Sequence, residues 1–87
     1  MFLHLGADVV VSLKEVISIL DLRTAGKAEA TREFLQACRA QNRVIQIADG
    51  EPKSVVVTDR HVYLSPISSL TLKKRSRTQY GRVITRL

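Results

Sequence analysis

Apolar positions come first in short runs and then in a helical stripe. Residues 2–22 are rich in β-branched residues and offer two strand-like runs, FLHL and DVVVS, interrupted by Gly6 as a turn residue. In the next run, EVISILDL, an extended chain places Val16, Ser18 and Leu20 on one side and Ile17, Ile19 and Asp21 on the other. Both sides are largely apolar, which predicts a strand covered on two faces; a short buried helix shares that pattern, and strand is the better reading.

From Thr24 to Gln41 the chain turns to strong helix formers, TAGKAEATREFLQACRAQ, with Thr24 available as N-cap. Ala30, Phe34, Ala37 and Cys38, with Leu35 beside them, recur at three- and four-residue spacing and predict an apolar stripe laid on a sheet. Asn42 is the expected stop. Three further strands follow in RVIQIA, KSVVVT and HVYLSP. ADGEPK and TDRH between them read as reversals, predicting an antiparallel meander. SSLTLKKRSR predicts a short helix capped by Ser68 or Ser69 with Leu70 and Leu72 inward, and QYGRVITRL admits a last strand. The expected fold class is α+β: a small, twisted, mostly antiparallel sheet with one main amphipathic helix and a short C-terminal helix.

Eighty-seven residues make one domain, and with two Phe, two Tyr and no Trp its core must come from Val, Ile, Leu and Ala. So small a core gains stability by burying more apolar surface between subunits, which predicts a homo-oligomer. The single Cys38 has no internal disulfide partner, and a reduced, cytoplasmic setting is expected. Neither a signal peptide nor a membrane span is read.

Charge changes the picture. Residues 1–59 carry seven Lys/Arg against eight Asp/Glu, whereas residues 60–87 carry seven cations and no acid, so the net +6 belongs to one end of the chain. Segregation on this scale suits a polyanion, nucleic acid before an anionic membrane. Duplex DNA is favoured over RNA, because the aromatic interleaving of a base-stacking platform is lacking. Catalysis is not expected. His4 and His61 lie far apart in sequence, Cys38 sits on the apolar helix face, no His/Cys cluster offers a metal ligand set, and the four glycines form no phosphate cradle. No cofactor is implied.

The segments HLGADVVVS, EVISIL and DGEPKSVVVTDRHVYLSPISSLTLKKR resemble the extracellular matrix regulatory protein family, RemA and RemB. The resemblance is closer to RemB, through G-x-P-K-S-[IV]-V-V-T followed by Y-x-S-P-[IL]-S-S-x-T-L-K-K-R, and covers essentially residues 1–75. It implies a bacterial regulator of biofilm-matrix genes; RemA-type members are implied to form rings that carry arginines on a rim and bend DNA around them. The expected organisation is a RemA/RemB-like domain over 1–72 and a basic segment over 73–87. Three positions depart from the RemA pattern: Glu15, beside Lys14, stands where a DNA-contacting arginine is implied, and Glu51 and Pro52 stand where two adjacent arginines are implied. Lys53 keeps the basic sign of that loop. The candidate DNA-binding residues are therefore Lys14, Lys53, Lys73, Lys74, Arg75 and Arg77, on a homo-oligomeric ring. The competing reading is an interaction protein of the same fold that acts on protein partners, a RemA-like protein among them. A membrane-surface adaptor is weaker still, because the basic segment lacks large apolar anchors.

Overall fold

The computed structural model describes residues 1–25 and 27–80, with side chains for all of them except 25 and 77–80. In chain order these form β1 (Phe2–Gly6), β2 (Val9–Ser12), a 3-10 turn (Leu13–Glu15), β3 (Val16–Asp21), α1 (Leu22–Ala25), α2 (Glu29–Ala40), β4 (Val44–Gln46), β5 (Ser54–Thr58), β6 (Val62–Ser65) and α3 (Ser69–Tyr80). The strands fall into two sheets: the hairpin β1–β2, and a four-stranded sheet of order β3-β5-β6-β4.

Gly6 makes the hairpin possible. Its φ of 123° lies in a region L side chains rarely adopt, and a Cβ built there would stand 3.1 Å from Pro66 Cγ. In the larger sheet β5 runs antiparallel to both neighbours, with Asp21 opposite Ser54, Val16 opposite Thr58 and Ser54 opposite Ser65.

Strand alternation divides the interior into two cores. Val56 and Ile19 face the hairpin residues Leu3, Leu5, Val11 and Leu13 together with Leu72 of α3. Val55, Val62 and Leu64 face Leu35 and Cys38 of α2. The four-stranded sheet is thus a middle layer, with α2 on one face and the hairpin plus α3 on the other. β3 contributes to both cores, Ile19 to the first and Leu20 to the second, although it lies at the sheet edge and leaves Ile17 56% exposed. Cys38 is buried as a free thiol.

Four expectations are corrected. β4, β5 and β6 are not a meander: β4 runs parallel to β6 at the far edge, so residues 47–53 carry the chain past β6 to reach β5. β4 and β5 run antiparallel with β6 between them, so the turn chemistry of Asp-Gly-Glu-Pro bends a loop over the end of β6 rather than closing a hairpin. Gly50 there has φ 95°. Thr24 does not cap the main helix, because it lies inside α1, which Asp21 caps by accepting the Arg23 N–H at 2.9 Å. α2 starts after Ala28 without a side-chain cap. On α2 the buried positions are Leu35 and Cys38, while Ala30, Phe34 and Ala37 are exposed; the inward stripe is narrower than the apolar one. Finally, Leu72 is fully buried but Leu70 is 76% exposed. Residues two apart on a helix are separated by about 200°, so the pair cannot face the same way.

The stop at Asn42 is as expected. Asn42 has φ 57°, the Arg43 N–H reaches back to the Cys38 carbonyl at 2.9 Å, and the Asn42 N–H reaches Arg39 at 3.0 Å, a Schellman ending. The strand expected over QYGRVITRL lies outside the described residues from 81 onward, and Gln79 and Tyr80 belong to α3.

Candidate nucleic-acid interface

The basic residues near the end of the sequence are carried on a helix that is anchored rather than trailing. Ser68 starts α3: its Oγ accepts the Thr71 N–H at 3.2 Å and lies 2.9 Å from Thr71 Oγ1. Ser69, Leu72 and Ser76 follow at three- and four-residue spacing and are all buried, forming the stripe that meets the sheet. Two of these three are serines, whose small side chains let the helix lie close to its support. Ser76 Oγ turns back onto the Lys73 carbonyl at 2.9 Å. Lys74 and Arg75 are left exposed and Lys73 half-buried.

Lys53 is fixed by its own backbone. Its N–H donates to the Ser65 carbonyl at 2.8 Å and its carbonyl accepts the Leu22 N–H at 3.1 Å, locking it between the end of β6 and the β3–α1 corner. Next to it, Ser54 Oγ donates to the Ile67 carbonyl at 2.7 Å, tying β5 to the segment that leads into α3. Two surface clefts open here. One, of about 190 Å³, is lined by Asp21, Arg23, Lys53, Ser68, Ser69 and Leu70. The other, of about 200 Å³, is lined by Leu70, Thr71, Lys73 and Lys74. Leu70 borders both, so Lys53, Lys73 and Lys74, far apart in sequence, share one continuous surface.

The remaining candidates fall elsewhere. Lys14 lies in the 3-10 turn before β3, at the Val16–Thr58 end of the β3–β5 ladder, whereas Lys53 precedes Ser54 at the Asp21 end. The length of β3, about 20 Å at roughly 3.3 Å per residue, separates them. Arg75 Nη1 donates to the His4 carbonyl at 3.3 Å, which holds it against β1. The Arg77 side chain lies outside the described ones. Glu15 is exposed beside Lys14, and Glu51 is exposed two residues before Lys53.

Two residues of the first cleft escaped the sequence reading. Arg23 stands in an acidic-neutral stretch, and only the strand register that sets Asp21 opposite Ser54 brings it near Lys53. Its guanidinium Nε lies 3.7 Å from Asp21 Oδ1. The Arg23 N–H holds the Asp21 carboxyl below its ordinary range; burial opposes this, and the Arg23 charge and the Thr24 hydroxyl add to it. Ser69 was read only as an alternative helix cap. His4 Nε2 lies 2.7 Å from the Ala7 carbonyl, and the His61 ring leans on Tyr63 at 6.0 Å. Among the described residues no group of three or more His, Cys, Asp or Glu is placed to hold a metal ion, and no helix is long and apolar enough to cross a membrane.

These features define a small three-layer α+β protein with a cationic surface around the start of its last helix. Residues 2–75 match the RemA-like family, described as extracellular matrix regulatory protein A-like. The chain is also 40% identical over 80 residues to extracellular matrix regulatory protein B of Bacillus subtilis (strain 168), an alignment that covers 92% of this chain and 95% of that protein. It belongs to the RemA-like family of extracellular matrix regulatory proteins, nearer in pattern to the B type.

Proposed function

We propose that this protein is a cytoplasmic, DNA-binding transcriptional regulator of extracellular-matrix genes that works as a homo-oligomeric ring, holding duplex DNA on the surface formed by Lys53, Lys73 and Lys74. The observation that carries the reading is the shared border of the two clefts at Leu70, which collects lysines from two distant segments on one face. Lysines so placed neutralise backbone phosphates and release condensed counterions, which gives affinity that depends steeply on salt and weakly on sequence. One subunit offers few such contacts, and repetition around a ring raises the avidity. Exposed Phe2, Val10, Ile17 and Phe34 supply apolar surface for contacts between copies.

The test is fluorescence anisotropy on duplex DNA at two salt concentrations, with Lys53, Lys73 and Lys74 replaced by Ser. Each lost phosphate contact lowers the slope of log K against log salt by about 0.9. An unchanged affinity and slope would remove this surface from the mechanism. The second reading, a protein-only interaction module, is favoured by the exposed carboxylates Glu15 and Glu51 and by the engagement of Arg75 with the His4 carbonyl. It predicts no DNA complex in low salt from a protein that is otherwise a well-defined oligomer.

A further inference from the structure

We infer that the free edge of β3 is a self-association surface, on which a second copy of this chain adds its own β3 antiparallel about a two-fold axis, joining two four-stranded sheets into one. The inference goes beyond the DNA-binding reading and uses none of Lys53, Lys73 and Lys74.

The sheet has two edges, and they differ in kind. β4 is three residues long, and the Gln46 side chain at its end is engaged with the carbonyls of Ala48 and Gly50. So short an edge offers little to pair with. β3 is six residues long and pairs only with β5, so alternate N–H and C=O groups point away from the sheet. Its side chains are those of an interior strand: Val16 and Ile19 pack in the first core and Leu20 in the second. Val16, Ser18 and Leu20 are nevertheless only half-buried, and Ile17 stands exposed at the bulge between Val16 and Ser18. That bulge leaves Ser18 to Asp21 in regular register, and no Lys or Pro guards the strand.

Charge selects the strand that completes this edge. It begins after Lys14 and Glu15 and ends at Asp21 and Arg23, so both signs stand at both ends. Parallel addition of a second β3 would set like ends together; antiparallel addition sets each start against the other's end. A two-fold axis normal to the sheet places residues of the same face opposite one another, which centres the register on Ser18 or on Ile19. Centred on Ser18, it sets Glu15 against Asp21 of the other copy, two like charges. Centred on Ile19, it sets Glu15 against Arg23 of the other copy, twice by symmetry, and the ladder runs from Ile17 to Asp21 with Ile17 covered. Glu15 is exposed and the Arg23 side chain is 84% exposed, so both are free to meet.

The experiment is sedimentation velocity of the full chain in low salt over a range of micromolar concentrations, on the wild type, Glu15→Arg, Arg23→Glu and the double reversal. The wild type should double its mass with a concentration midpoint. Each single reversal turns two attractions into two repulsions and should raise that midpoint about tenfold, and the double reversal should return it to the wild-type value. Restoration separates pairing across copies from the local loss of the Asp21–Arg23 contact, which both Arg23 variants share. The bond from the Arg23 N–H to Asp21 is made by backbone and is kept in all of them, and unchanged circular dichroism would confirm the fold. A midpoint that neither reversal moves, or a double reversal that fails to restore it, overturns the edge pairing and leaves the DNA-binding reading standing. A chain that stays single at every concentration overturns it as well and leaves the edge to a strand of a different protein.

Discussion

Replacing Ser65 with Ala should destabilise the protein far more than the loss of one exposed hydroxyl would. Ser65 is fully buried; its Oγ donates to the Leu5 carbonyl at 2.6 Å across sixty residues of sequence and accepts the Ile67 N–H at 3.0 Å. A single oxygen therefore joins three segments: the hairpin, the end of β6 and the approach to α3. Removing it strands a carbonyl in the interior, which costs about 1–3 kcal/mol, while the half-buried Ile67 amide adds less because water can reach it. The expected total is about 2–3 kcal/mol, a large part of the roughly 5–15 kcal/mol that holds a domain folded. For a domain of this size that corresponds to a fall in Tm of about 10–20 °C. Urea unfolding and calorimetry at one fixed protein concentration would measure it, since association contributes to apparent stability. Ser76→Ala is the control: Ser76 is also buried, but among the described residues its hydroxyl bonds only to the Lys73 carbonyl within its own helix, and its loss should cost under about 1 kcal/mol. A Ser65→Ala protein within about 0.5 kcal/mol of the wild type would refute the argument that this hydroxyl ties the layers together.

The two leucines of α3 should behave oppositely. Leu72→Ala, at a fully buried position in the first core, should cost about 2–5 kcal/mol in urea unfolding, and Leu70→Ala, 76% exposed, less than about 0.5 kcal/mol. Asp21 should make stability depend on pH at the acid end. Its folded pKa is held below the ordinary 3.8, so its contribution is present above that pH and is lost as pH falls through the folded value. Urea midpoints followed from pH 7 to pH 2 should therefore fall less for Asp21→Asn than for the wild type, and parallel curves would contradict the assignment.

Element type was legible wherever one face of an element was buried, and register was not. The β-branched runs at 9–11, 16–20 and 54–58 name their strands because a pleated, covered surface selects such residues. Their neighbours could not be read: nothing local in Val44–Gln46 distinguishes a strand antiparallel to β5 from one parallel to β6, because that choice depends on where α2 returns the chain. The stripe on α2 was over-read for a related reason. Ala30, Phe34 and Ala37 are apolar and correctly spaced, but one subunit covers only the Leu35–Cys38 line. Of the candidate interface, the run Lys73–Arg75 was visible as charge. The contributions of Arg23 and Ser69 depended on strand pairing and on burial, neither of which leaves a mark at those positions.

The placement of Lys14 limits how the basic residues can work together. Lys14 and Lys53 lie at opposite ends of the β3–β5 ladder, about 20 Å apart along the strands. Lys53, by contrast, borders a cleft contiguous with that of Lys73 and Lys74, on a helix whose buried side is pinned by Leu72 and whose start is fixed by Ser68. Cations on a fixed scaffold lose less conformational freedom on meeting a phosphate than cations on a free tail, so the surface around Leu70 should contribute more per charge than Lys14 does. Exchanging Lys14 for Ser should accordingly leave the salt slope of DNA binding within about one phosphate contact of the wild type, whereas the Lys53, Lys73 and Lys74 replacement should not. A larger effect from Lys14 alone would move the interface to the other end of the sheet, where Glu15 stands beside it.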